Sequence, residues 1–260
     1  MLYEELLASC KERFGEFFAN VPVFENQFTW SDFNDKCYEA MYVNNTYENI
    51  AEVKKLKELI PELKDICKKC GEFYIPARNK SIPKYDVLLG KQHEEVFMEF
   101  LTAKLGAKTE RADLRNRSLP DCKILKPDGN AAAYFELKFH GAPFVRALYL
   151  TGRYCYEGSA TLDYNKIKKQ LELIDNNELD APVFYVHWID YPCLKGVFYE
   201  TSDQVKNFLE SGEAEFSRKF REGDNQKTKK SVYLKKKYSP LLNMGDFDSL
   251  LNELQKLIDS

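Results

Sequence analysis

Leu119-Pro120-Asp121-Cys122-Lys123-Ile124-Leu125-Lys126-Pro127-Asp128-Gly129-Asn130-Ala131-Ala132-Ala133-Tyr134-Phe135-Glu136-Leu137-Lys138-Phe139-His140 is the stretch on which the fold turns. It predicts two strands joined by a tight turn. Lys126-Pro127-Asp128-Gly129-Asn130 supplies the turn, with Pro127 fixing φ and Gly129 able to take positive φ. In the second strand Tyr134, Glu136, Lys138 and His140 alternate with Phe135, Leu137 and Phe139. The apolar set can seal a core. The polar set then lines a shared surface, with Glu136 and Lys138 about 7 Å apart along the strand. Asp121 opens the neighbouring strand, where it can sit beside Glu136.

Two carboxylates and a lysine on adjacent strands suit metal-assisted phosphodiester hydrolysis. Hard oxygen ligands hold Mg²⁺. The ion acidifies a water and neutralises phosphate charge, and the ammonium orients or deprotonates that water. Glu-x-Lys also occurs at Glu52-Val53-Lys54 and Glu62-Leu63-Lys64, but in helical patterns, where residues two apart do not face each other. Pro127-Asp128 is a rival Pro-Asp pair, and Gly129 after it makes it a turn. The other reading of Asp121, Glu136 and Lys138 is a solvated strand face with cross-strand ion pairs.

Pro120-Asp121, a gap, then Glu136-Leu137-Lys138 resembles the PD-(D/E)XK nuclease superfamily, which includes type II restriction endonucleases, Holliday-junction resolvases and RecB-like repair nucleases. The resemblance implies an α/β fold with a mixed central sheet flanked by helices, and a Mg²⁺ cofactor for which Mn²⁺ can substitute. It implies that Asp121 and Glu136 ligate the metal, with the Leu137 backbone carbonyl as a further ligand, and that Lys138 acts on the water. Many members carry a glutamate early in a helix just ahead of the sheet. Glu94 matches it, with Glu95 as the alternative. A helix after the Glu-x-Lys strand supplies a polar glutamine in RecB-like relatives, and Lys166 and Gln170 occupy that place. The implied activity is a metal-dependent endodeoxyribonuclease on double-stranded DNA, most like a type II restriction endonuclease, for which a homodimer would cut both strands. A structure-specific repair or junction nuclease is the nearest alternative. A non-catalytic nucleic-acid-binding module and an interaction protein built on the N-terminal helices are the other two.

The surrounding chain predicts the matching element order. Leu2, Leu6, Leu7, Cys10, Phe14, Phe17 and Phe18 share a helix face over residues 2–19, and further helices are expected to about residue 71. Residues 72–88 read as a connector. A helix follows from Gly90, closed by Gly106. Strands are expected at 107–113, 120–126 and 131–140, then a helix at 163–176 and strands at 182–189 and 196–200. A short helix at 203–209 and a closing helix at 246–258 complete the chain. The division is a helical region, 1–88, and an α/β domain, 89–260, with a basic C-terminal segment.

The chain has 260 residues, 44% hydrophobic and 30% charged, with a formal net charge of −3. That excludes a generally basic nucleic-acid binder and leaves room for a local patch. Nine lysines and arginines between Arg218 and Lys237, against Glu222 and Asp224, make such a patch and suggest a mobile loop. Lys229 and Lys230 there, with Arg115 and Arg117 before Pro120, are candidate phosphate contacts. No apolar run spans a bilayer and no basic-then-apolar leader opens the chain, so a cytoplasmic location away from membrane is expected. Seven cysteines fit reduced thiols. Cys67 and Cys70 form a lone pair without the second pair a zinc site needs.

Overall fold

The alternation at residues 131–140 becomes an inner strand of a mixed five-stranded sheet. A computed structural model describes residues 2–19, 83–112, 118–140, 159–191, 194–211, 215–219, 233–240 and 244–260. The elements run α1 (Leu2–Ala19), α2 (Pro83–Leu105), β1 (Thr109–Arg111), β2 (Cys122–Leu125), β3 (Ala131–His140), β4 (Ser159–Asp163) and α3 (Tyr164–Asp175). They continue as β5 (Val183–Tyr191), β6 (Leu194–Thr201), α4 (Ser202–Glu210), β7 (Glu215–Lys219), β8 (Tyr233–Pro240) and α5 (Phe247–Asp259). The main sheet has the order β1-β2-β3-β5-β6. Strands β1, β2 and β3 pair antiparallel, β3 and β5 pair parallel, and β6 is antiparallel to β5. A parallel pair needs a crossover, and β4 and α3 lie in that connection.

The β2–β3 turn forms as its residues dictate. Gly129 adopts φ +90°. Its N–H donates to the Lys126 carbonyl at 3.0 Å, and Lys126 N–H donates to the Asn130 carbonyl at 2.8 Å. The Asp128 carboxylate accepts from Asn130 N–H at 2.9 Å.

Helices cover both faces of the sheet. On one face Phe135, Leu137, Phe184, Val186 and Trp188 pack with Tyr3, Leu6 and Cys10 of α1, with Phe97 and Leu101 of α2, and with Phe247 and Leu254 of α5. Each such buried side chain contributes about 1.5–3 kcal/mol. Tyr3 ties α1 into this core: Trp188 Nε1–H donates to its hydroxyl at 3.3 Å. On the other face Val183 and Tyr185 meet Ile167 of α3 and Val205 of α4, with Tyr134 packed alongside. Strand β5 is therefore buried on both sides, which accounts for its near-continuous apolar sequence.

Two expectations change. Helix α2 begins at Pro83 rather than Gly90. Proline is preorganised for a first helical turn, so residues 83–88 of the expected connector are helical and residue 89 lies inside the helix. The basic segment is also more ordered at its ends than a loop. Strands β7 and β8 pair antiparallel, and β4 joins them in a second sheet of order β4-β8-β7. The run of three lysines, Lys235–Lys237, hides a period of two. The helices expected between residues 32 and 71, with Cys67 and Cys70, lie outside the described residues. Among the described residues, no helix is long and apolar enough to cross a membrane.

Candidate active site

Register brings the acidic residues together. Cys122 pairs with Phe135 across β2 and β3, so Asp121, at the bend before β2, falls beside Glu136. Backbone bonds fix it there. The Asp121 carbonyl accepts from Ala112 N–H at 3.1 Å, and Asp121 Oδ2 accepts from Leu137 N–H at 3.2 Å. Its other oxygen, Oδ1, accepts from Lys166 Nζ at 2.9 Å. Lys166 Nζ also donates to Glu136 Oε1 at 2.5 Å, and Gln170 Nε2 donates to Glu136 Oε2 at 3.0 Å. Lys166 and Gln170 are one turn apart on α3 and so reach the same carboxylate.

Glu136 is 8% exposed. Burial first, then repulsion from Asp121, pushes its carboxyl up to about 7, against the pull of Lys166 and Lys138. For Lys166, burial acts downward, but Glu136 and Asp121 outweigh it and hold the ammonium above its ordinary range. The site thus holds one cation between two acids, in a place where ionising both acids is costly.

Glu94 stands at the edge. Burial and the nearby Asp121 raise its carboxyl, and Arg111 and Lys166 partly offset this. Its carboxylate is paired with the Arg111 guanidinium, which also reaches Glu95 Oε1 at 3.3 Å. Lys138 lies on the same strand face as Glu136, with its Nζ 3.7 Å from Asp163 Oδ2, and both side chains are more than a third exposed. Beyond it a polar chain crosses three strands. His140 Nε2 lies 3.0 Å from His187 Nδ1, and His187 Nε2 lies 3.1 Å from Glu200 Oε1.

The structure therefore gathers Asp121, Glu136, Lys166 and Gln170, keeps Lys138 within electrostatic reach, and leaves Glu94 on Arg111. Arg115, Arg117, Lys229 and Lys230 lie outside the described residues. The resemblance put Lys166 with Gln170 near the active site as nucleic-acid contacts, and the structure places Lys166 between the two acids. Its spacing from Gln170 was the available signal. Arg111 carried no signal beyond a strand position next to the helix bearing Glu94.

The donor set fits a small hard cation. Two carboxylate oxygens close on one point, and Mg²⁺ commonly takes one or two carboxylates and fills its shell with water. Among the described residues, Gln170 Oε1 and Tyr185 Oη are buried with no hydrogen-bond partner. Tyr185 faces Glu136 across the β3–β5 pair. Such orphaned polar atoms are what ordered water beside a bound ion would satisfy. No group of three or more His, Cys, Asp or Glu side chains converges on a metal position among the described residues, so any such site rests on the two acids and backbone or water.

No family model and no curated protein sequence matches this chain. Among solved structures, a nuclease from a fusselovirus is similar over 68% of this chain and 92% of its own, at 11% identity and a TM-score of 0.39. A likeness that slight carries no argument about function.

Proposed function

We propose that the chain is a metal-dependent nuclease of the PD-(D/E)XK type that hydrolyses phosphodiester bonds in double-stranded DNA. One observation carries the reading: carboxylate oxygens of Asp121, at the head of β2, and Glu136, on β3, lie 2.9 and 2.5 Å from one point, the Lys166 ammonium, with Lys138 on the same strand face as Glu136. Asp121 and Glu136 hold Mg²⁺ or Mn²⁺, with the Leu137 carbonyl as a further ligand and Glu94 in the outer shell. The bound ion supplies an acidified water and neutralises phosphate charge. Leu137 N–H aims Asp121, and Gln170 aims Glu136. Lys138 orients the water and attracts the phosphate. Arg115, Arg117, Lys229 and Lys230 contact the phosphate backbone, which makes affinity fall with salt. A type II restriction endonuclease acting as a cytoplasmic homodimer is the finer form of this proposal.

The test is incubation of the purified chain with supercoiled plasmid in Mg²⁺, Mn²⁺ and EDTA. Cleavage should need the metal, and Glu136→Ala and Lys138→Ala should each lower it at least about 100-fold without changing circular dichroism. Wild-type rates from either variant refute the assignment. Discrete fragments indicate sequence recognition, whereas nicking or end-resection indicates a repair or junction nuclease. A metal-independent gel shift without cleavage indicates a binding module.

A further inference from the structure

Lys166 stands where a cation belongs. Asp121 and Glu136 share its one positive charge, at 2.9 and 2.5 Å. Its place on α3 runs against the local rule. It falls in the first helical turn, where the dipole favours anions, and α3 carries no acid there. A helix built only for its own stability would not put an ammonium at that end, so the two carboxylates across the sheet account for it.

The bonding at each acid is divided in the same way. One oxygen is held by a neutral donor, Leu137 N–H for Asp121 and the Gln170 amide for Glu136. The other oxygen is held by Lys166. Withdrawal of the lysine therefore leaves both carboxylates aimed, each with a freed oxygen turned toward the same point. The ammonium is the exchangeable part of the cluster and the neutral donors are the fixed part.

We propose that Lys166 is a tethered counter-ion that guards this site. It offsets one of the two negative charges of Asp121 and Glu136 in the metal-free chain, and a divalent cation binds by displacing it. The inference rests on the reading of Asp121 and Glu136 as metal ligands. A free monovalent ion offers no more charge than the tethered ammonium and does not displace it. A divalent ion brings twice the charge and does. The displaced ammonium stays attached to α3 beside the site, where an anionic phosphate is its natural next partner, so metal binding readies a substrate contact.

The test is calorimetric titration of the full chain with Mg²⁺ and no nucleic acid at pH 8.5, above the range in which Glu136 takes up a proton. Lys166→Met should bind Mg²⁺ at least about tenfold more tightly than wild type, and Lys166→Arg, which keeps the charge, should stay within about threefold of it. Lys166→Gln replaces the methionine variant if circular dichroism shows the latter unfolded. If wild-type binding is lost in Asp121→Asn but Lys166→Met binds no more tightly than wild type, the counter-ion role is overturned and the metal site stands. If neither wild type nor Lys166→Met binds Mg²⁺ in a manner that depends on Asp121 and Glu136, the site reading falls and the inference with it.

Discussion

Glu136→Gln separates the electrical state of the site from its shape. In the fold the Glu136 carboxyl sits at about 7, against an ordinary 4.5, because burial and Asp121 disfavour its charge. Between those values the folded chain keeps a proton that the unfolded chain has released. Its contribution to stability is therefore whole below pH 4.5 and is lost as pH rises through 7. The shift corresponds to about 3 kcal/mol at pH 8. Lys166 does not confuse the window. Its raised folded value keeps its own contribution intact up to its ordinary 10.5. The surface acids Glu5, Glu110 and Asp128, whose values are lowered, titrate in both proteins and cancel in the comparison. Glutamine is neutral at every pH and stands in for the protonated acid. Gln170 meets it by turning its amide, which brings to the new NH₂ an Oε1 that has no partner among the described residues. Urea unfolding in EDTA should give stabilities within about 1 kcal/mol of each other at pH 5. At pH 8 the variant should be more stable by up to about 3 kcal/mol, a midpoint shift of about 1–2 M. A gap of the same size at both pH values would mean that Glu136 titrates like a surface acid and would refute the burial argument.

Two further substitutions test the frame around the site. Gly245 and Tyr199 exchange backbone hydrogen bonds at 2.9 and 3.0 Å, and a Cβ on residue 245 would overlap the Tyr199 ring. Gly245→Ala should lose about 1–3 kcal/mol in thermal unfolding, and an unchanged melting temperature would show that the ring has room to move. Glu200 and His187 are buried and 3.1 Å apart. Glu200→Ala should cost about 1–3 kcal/mol by stranding a buried imidazole N–H, while Glu200→Gln keeps an acceptor and should cost less. Equal losses would assign the effect to packing instead.

Strand β3 was legible in the sequence to the residue, because one of its faces is core and a period of two admits no slip. The same holds for α1, whose apolar spacing fixes it at residues 2–19. Helix α2 was legible only from its middle, because Gly90 resembles a start signal and the true start is a proline seven residues earlier. Strands β7 and β8 were not legible, since a lysine run reads as a solvated loop whether or not its backbone pairs. In the site, Asp121 and Glu136 follow from strand register. The one-turn spacing of Lys166 and Gln170 points both toward the site, but the place of Lys166 between the two acids depends on how far α3 leans over the sheet. The Arg111–Glu94 pair depends on tertiary packing in the same way.

The competing reading of Asp121, Glu136 and Lys138, a solvated face with cross-strand ion pairs, turns on burial. Lys138 satisfies it: its contact with Asp163 is 3.7 Å long and open to water, the kind of pair worth little. Glu136 does not. At 8% exposure its carboxylate has left water, and removing a charge from water is costly unless partners replace the solvent. The partners here are a lysine in an unfavourable helical turn and a glutamine that leaves its own oxygen without a partner among the described residues, next to a tyrosine hydroxyl in the same condition. A sheet face shaped for stability alone would carry apolar residues at these positions, as the opposite face of β3 does with Phe135 and Leu137. Four departures from local rules converge on one carboxylate, which is the distribution expected of a site that binds something and not of a surface that only faces solvent.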